Sequence, residues 1–249
     1  MNEVLNTLNN HRSFRKYADK PVEPEKLRCI IEAAQAAPSW VNGQQVTVIA
    51  VQNKERRERF AALSGKQQHV ADAPVFLVFC MDFYRTKLAA ELEGQSFEAV
   101  GDADALLVGA VDVGIALESA VAAAESLGLG IIPIGGIRRN TESVIELLEL
   151  PEYVFPVVGL CIGYPGEELP KKPRLPLEAV YHEERYNRNL EGSIRRYNAE
   201  FREYQKSVGQ TERDWSAVIA HFYALNPQYG DAGKTLPQQG FTCSNLHKA

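Results

Sequence analysis

A mixed α/β or α+β layer fold follows from three observations. Four apolar segments of strand length punctuate the chain, and helical patterns separate them. The 249 residues are 45% hydrophobic and 24% charged, an ordinary globular mix that excludes a disordered, collagen-like or low-complexity chain. That length suits one large domain or two small ones. It allows roughly 70–75% of the unfolded surface to be buried, so neither disulfide nor metal is required for folding.

The elements read in order. A first helix spans 3–10 and ends at the basic run His11-Arg12-Ser13-Phe14-Arg15-Lys16-Tyr17. A second begins at Pro24, a favourable first-turn residue, with Leu27, Ile30, Ile31 and Ala34 at helical spacing. Pro38-Ser39 ends it, and Asn42-Gly43 marks a turn. VTVIAV at 46–51 and VFLVFC at 75–80 read as buried strands, with a polar surface helix at 55–63 between them. The longest helix runs over 104–127, with Gly128 at its C-terminal end. It is small and aliphatic nearly all round, which implies burial on several sides, at a domain centre or a subunit interface. Strands follow at 130–134 and 155–162, separated by a helix that Asn140 or Thr141 caps and that runs through Leu150. Beyond a charged, proline-rich stretch at 167–176, exposed helices are expected at 192–206 and 213–223, and the Gly-, Pro- and Gln-rich end reads as loosely ordered.

Charge and motif content exclude several functions. With 27 Lys and Arg against 32 Asp and Glu the net charge is −5, which argues against a general nucleic-acid binder. The four cysteines are far apart with no C-x-x-C, and read as buried cytosolic thiols. The N-terminal segment has no apolar signal-type run, and the longest apolar stretches, 73–81 and 155–162, fall well short of a membrane span of about 18 residues. A soluble, cytoplasmic protein with no membrane or nucleic-acid partner is therefore expected. There is no G-x-S-x-G, and the five histidines form no H-x-x-x-H pair, so no catalytic nucleophile and no metal site is assigned. Gly233-Lys234-Thr235 lacks the preceding glycine and strand of a phosphate loop, and Pro133 interrupts a G-x-G-x-x-G at 128–133.

Three separated segments share a chemical sense. His11 to Arg15 packs two guanidinium forks, a hydroxyl and an imidazole into five residues, matching phosphate oxygens. Pro133-Ile134-Gly135-Gly136-Ile137-Arg138 follows a buried strand, where paired glycines permit close backbone approach to a planar ligand. Lys171-Lys172-Pro173-Arg174-Leu175-Pro176 is a cationic loop stiffened by proline. Taken singly, each also reads as an ordinary feature: a solvated basic patch, a strand-exit turn, a surface linker.

Taken together, HRSFRKY at 11–17, the Ser39 to Gln44 stretch, SGKQQHV at 64–70, AAAESLGLG at 122–130, PIGGIR at 133–138 and KKPRLP at 171–176 resemble the FMN-dependent nitroreductase and flavin reductase family over about residues 3–225. The resemblance implies an α+β fold with a central, mainly antiparallel sheet surrounded by helices. It implies one nitroreductase-like domain over 1–249, with a helical excursion at 190–225; the tail at 231–249 matches poorly. It implies a homodimer that binds FMN, takes hydride from NADPH or NADH, and reduces a flavin, quinone or nitroaromatic by a ping-pong mechanism. FMN carries the hydride chemistry, which accords with the absence of a nucleophile or metal motif. His11, Arg12, Ser13 and Arg15 would contact the phosphate, ribityl chain and pyrimidine side of FMN, and Lys172 and Arg174 would complete the cationic cradle. Gln67 would bond the polar ring edge, Ser39 would reach the site across the dimer interface, and Pro133, Ile134, Gly135 and Gly136 would line the ring. Lys206, Arg15 and Lys172 are candidates for NADPH binding, because Val208 stands where NADPH-specific relatives carry an arginine. Two other readings remain: a non-catalytic flavin-binding or flavin-degrading relative, and a colourless anion- or nucleic-acid-binding module.

Overall fold

The strand-length apolar runs assemble into one sheet. The structure is a computed structural model that describes residues 2–224 and 229–247. The chain divides into two compact units, 1–167 with 229–249, and 168–228.

The larger unit holds α1 (Glu3–Asn9), α2 (Pro24–Gln35), β1 (Val46–Val51), α3 (Lys54–Leu63), α4 (Gln68–Asp72), β2 (Val75–Asp82), α5 (Tyr84–Leu92), α6 (Ala103–Ser126), β3 (Gly130–Ile134), α7 (Thr141–Leu148) and β4 (Val154–Gly163). The smaller unit holds α8 (Glu191–Ser207) and α9 (Trp215–Ala224), and α10 (Gly230–Gln238) returns to the larger. The sheet order is β1-β2-β4-β3, and every pairing is antiparallel, which decides for α+β. β2 is buried at every position because both its faces are covered. Val75, Leu77, Phe79 and Met81 face a core shared with α2 and α6, while Phe76, Val78 and Cys80 face the core beneath α3, α4 and α7.

α6 packs closely on the sheet because Gly109 has no side chain: a Cβ there would lie 2.9 Å from Met81. Its outer face leaves Leu107, Val111 and Ile115 exposed at 65%, 57% and 37%. This 24-residue helix is long and apolar enough to cross a membrane by length and composition, with a mean hydropathy of 1.8 over its best window. That corrects the expectation from uninterrupted apolar runs, which missed α6 because single polar residues break its run. In the structure it is a core helix that carries the buried Asp112.

Three local departures have physical causes. α4 is five residues long, too short to show a period, and α5 shows no apolar stripe. The Asn140 side chain makes no cap bond; α7 stops at Leu148, and Glu149 takes a left-handed conformation (φ 53°). The Gly-, Pro- and Gln-rich end is not loose over its described part. α10 incorporates Gly233-Lys234-Thr235, and Phe241 lies 1% exposed in the core, edge-on to Phe83 at 5.8 Å. One large aromatic docks a segment whose composition alone predicts little burial.

Candidate functional site

The basic segment at 11–17 is extended, and its two aromatics anchor it. Ser13 forms a parallel bridge to Ile131 on β3, and Phe14 N–H donates to Ile131 O at 2.9 Å. The Phe14 ring covers Gly130 so closely that a Cβ there would lie 2.7 Å from it. Tyr17 bridges Pro165, and its hydroxyl donates to Phe14 O at 3.1 Å. Burial pushes the Tyr17 phenol far above its usual range. With Ser13, Phe14 and Tyr17 pinned, the basic segment is held beside the outer edge of β3. His11 Nδ1 and Glu125 Oε1 are 2.8 Å apart, so the carboxylate at the end of α6 orients the imidazole. Arg12 donates to Asn10 O at 3.0 Å, while its Nε is buried without a hydrogen-bond partner. Arg15 is exposed.

β3 leads directly into the paired glycines. Pro133 is exposed on this edge strand, where a missing N–H costs least, and Ile134 is buried beneath it. Gly136 lies against the 64–67 turn: a Cβ would sit 2.3 Å from Gln67 Nε2 and 2.5 Å from the Ser64 carbonyl oxygen. Gln67 Nε2 donates to that same Ser64 carbonyl at 2.7 Å. Gly135 is roomier: a Cβ there would lie 3.5 Å from Arg138 Nη2 and 3.7 Å from the Tyr229 hydroxyl. Arg138 and Arg139 both stack on the Tyr229 ring, at 5.1 and 5.6 Å. His69 follows Gln67 on α4; burial first and the Arg15 guanidinium second lower its pKa, and its Nε2 is buried without a partner.

Segments 11–15, 64–69 and 130–136 therefore meet along one sheet edge, bringing His11, Arg12, Ser13, Arg15, Gln67, Pro133, Ile134, Gly135 and Gly136 together. Ser39 lies elsewhere in the larger unit. It sits in a cleft of about 530 Å³ with Gln44, Thr47, Arg85 and Asp112, and shares no lining residue with the cleft of about 360 Å³ beside Arg12. Lys172, Arg174 and Lys206 belong to the smaller unit. There Arg174 folds back to donate to Lys172 O at 3.0 Å, and the Tyr197 hydroxyl donates to Pro173 O at 3.0 Å, tying the cationic loop to α8. Lys172 Nζ lies 5.9 Å from the Tyr204 ring centre. Lys206 is exposed in the last turn of α8, just before Val208. Among the described residues no group of His, Cys, Asp and Glu could hold a metal.

Sequence reasoning assigned no role to Glu125, His69, Arg138 or Tyr229. The first three lie inside the segments that carried the resemblance, so their position was a usable signal. Tyr229 is remote from all of them in sequence, and nothing local marks it.

The chain matches the model described as the nitroreductase family over residues 8–164, and that of the family's C-terminal domain over residues 172–244. It is 50% identical over 246 residues to a Bacillus subtilis protein named FMN reductase [NAD(P)H], covering 97% of this chain and 98% of that one. It is 42% identical over 221 residues to the oxygen-insensitive NADPH nitroreductase of Salmonella typhimurium, covering 88% and 90%. The solved structure of B. megaterium NfrA2 superposes with a TM-score of 0.94 at 48% identity, covering 97% of this chain and 98% of that one.

Proposed function

The chain belongs to the nitroreductase family, and from that membership we propose that it is an FMN-dependent oxidoreductase that draws on NAD(P)H to reduce flavins, nitroaromatics or quinones. The observation that carries this reading is the meeting of three sequence-distant segments, 11–15, 64–69 and 130–136, along the β3 edge. These residues suit FMN. Arg12 Nε and His69 Nε2 are buried donors or acceptors without a partner, which a bound polar group would satisfy. The Gly135-Gly136 backbone leaves the edge free of side chains.

In this reading Arg12, Ser13 and Arg15 bind the phosphate and ribityl chain, and His11, oriented by Glu125, faces the pyrimidine side with Gln67. Pro133 to Gly136 line the ring. Lys172 and Arg174 keep the phosphate role, and Lys206, Arg15 and Lys172 the donor role, that the resemblance implies. Bound FMN supplies reversible two-electron redox chemistry, so the chain needs to provide no nucleophile. What its residues provide is charge: cations near the ring favour the anionic reduced form. Donor and acceptor occupy one cleft in turn.

The protein is a cytoplasmic homodimer in this reading, supported by the apolar stripe Leu107, Val111 and Ile115 on α6. Ser39, in a cleft separate from that beside Arg12, then serves the site of the second copy.

The test is the absorption spectrum of the purified protein, followed by anaerobic NADPH. A yellow protein bleached by NADPH, with parallel double-reciprocal plots, is expected. A colourless protein, or one whose flavin NADPH does not reduce, refutes the assignment; intersecting plots refute the single cleft. Arg12→Ala should weaken FMN binding by about 1.5–3 kcal/mol, the worth of one charge-assisted contact. Arg195→Ala, whose partner is Glu191 one turn away, should not.

A further inference from the structure

The loop between α2 and β1 is held in a conformation its residues disfavour. Val41, Asn42 and Gln44 all have positive φ, at 46°, 57° and 54°. A β-branched residue in this region is a rare outlier, and such residues persist only where their surroundings fix them. The fixing groups come from two distant elements. Asp112, in the middle of α6 and 2% exposed, accepts the Trp40 backbone N–H with both carboxylate oxygens, at 3.1 and 3.3 Å. At the other end Arg85 Nη2 donates to the Gln44 and Val46 carbonyl oxygens at 2.6 and 2.8 Å. Arg85 Nη1 is itself held by Asp82 at 2.9 Å and by the Thr47 hydroxyl at 2.8 Å. Within the loop, Gln44 N–H donates to Ser39 Oγ at 3.0 Å.

A carboxylate sunk into an apolar helix costs stability unless hydrogen bonds replace its lost hydration. Here its one described task is the Trp40 amide, next to Ser39. We infer that Asp112 is a positioning residue for the flavin site: it clamps the start of the 39–45 loop, Arg85 clamps the end, and together they aim Ser39. This rests on the reading that Ser39 faces FMN. It assigns Asp112 no contact with cofactor or substrate.

Two readouts on the holoprotein test it: hydrogen exchange of the peptide covering 39–46, and the rate of FMN release on dilution, followed by recovered flavin fluorescence. Asp112→Ala removes a charge-assisted acceptor, and should speed FMN release roughly tenfold. It should also speed exchange in the loop while exchange in β2 stays unchanged. Asp112→Asn keeps an oxygen facing Trp40 and should restore both readouts to within about twofold. Should Asp112→Ala not fold, Arg85→Gln loosens the other end of the loop and should produce the same pair of changes. Unaltered loop exchange in Asp112→Ala overturns the inference. So does faster loop exchange with unaltered FMN release, which would make Asp112 merely structural, and so does an Asn variant as impaired as the Ala one. Ser39→Ala separates the two claims. If it releases FMN at the wild-type rate while Asp112→Ala releases it fast, the role of Ser39 falls and the clamp stands. If Ser39→Ala is fast and Asp112→Ala is not, the clamp falls alone.

Discussion

Substituting alanine at each of the two adjacent glycines should give opposite results. At position 136 the new Cβ would lie 2.3 Å from Gln67 Nε2 and 2.5 Å from the Ser64 carbonyl oxygen. The first neighbour is a side-chain end and can swing away, at the cost of its 2.7 Å bond to Ser64 O. The second is backbone, fixed at the end of α3, and can only be displaced. Overpacking of this kind costs about 1–3 kcal/mol, and the lost hydrogen bond about 1 more. Against this, alanine restricts the unfolded chain and returns roughly 0.4–1 kcal/mol. The net loss is about 1–3.5 kcal/mol, or a fall in Tm of roughly 2–14 °C for a chain of this size. At position 135 the nearest atoms are Arg138 Nη2 at 3.5 Å and the Tyr229 hydroxyl at 3.7 Å, which is ordinary contact. Neither glycine has positive φ, so backbone strain enters neither comparison. In the FMN-free protein Gly135→Ala should therefore leave Tm unchanged or raise it by about 1–3 °C. The assay is thermal unfolding of both variants and wild type freed of FMN, because ligand binding itself shifts Tm and a side chain at 135 would alter it. Equal Tm values for the two variants would show that Gly136 does not pack against the 64–67 turn as described, and would remove Gln67 from the site.

Phe241→Ala should cost about 3–5 kcal/mol in urea unfolding, because it empties a core position near Phe83; a loss under about 1 kcal/mol would mean the C-terminal segment is not docked. Glu23 is held at a pKa of about 2, chiefly by the hydrogen bond from the Tyr164 hydroxyl. A lowered folded pKa gives stability that is present above the unfolded value of 4.5 and lost as pH falls toward 2. Tyr164→Phe should thus flatten the fall in urea midpoint across that window, and an unchanged slope would refute the coupling. If exposed Lys206 takes the donor role proposed for it, a point charge without an arginine fork, NADPH should be preferred over NADH by roughly 5–30-fold in kcat/KM. The preference should shrink with salt and with Lys206→Ala; a salt-insensitive preference above about a thousandfold would indicate a preorganised arginine instead.

Local pattern was enough to place the four strands, because apolar runs bounded by turn residues need no partner to be recognised. It placed the long helices for the same reason, and the order of the short segments was enough to carry the family. It could not supply α4 or α5, where five residues or an absent stripe leave no period to read. Nor could it supply the docking of Phe241, which depends on a cavity built by distant residues. At the site, the sequence offered Arg12 and Gly136 in segments suited to an anionic or planar ligand, and the family resemblance added Gln67. Only tertiary structure decided that Gly136 packs on Gln67, that Glu125 holds His11 and that Tyr229 lies beside Gly135. The difference is physical. Secondary structure is written in neighbours a few residues apart, whereas a site is a set of contacts between segments that meet only once the sheet has brought them together. The buried carboxylate of Asp112 shows this most plainly: in sequence it is one polar residue in an apolar helix, and its purpose exists only in the position of Trp40, 72 residues away.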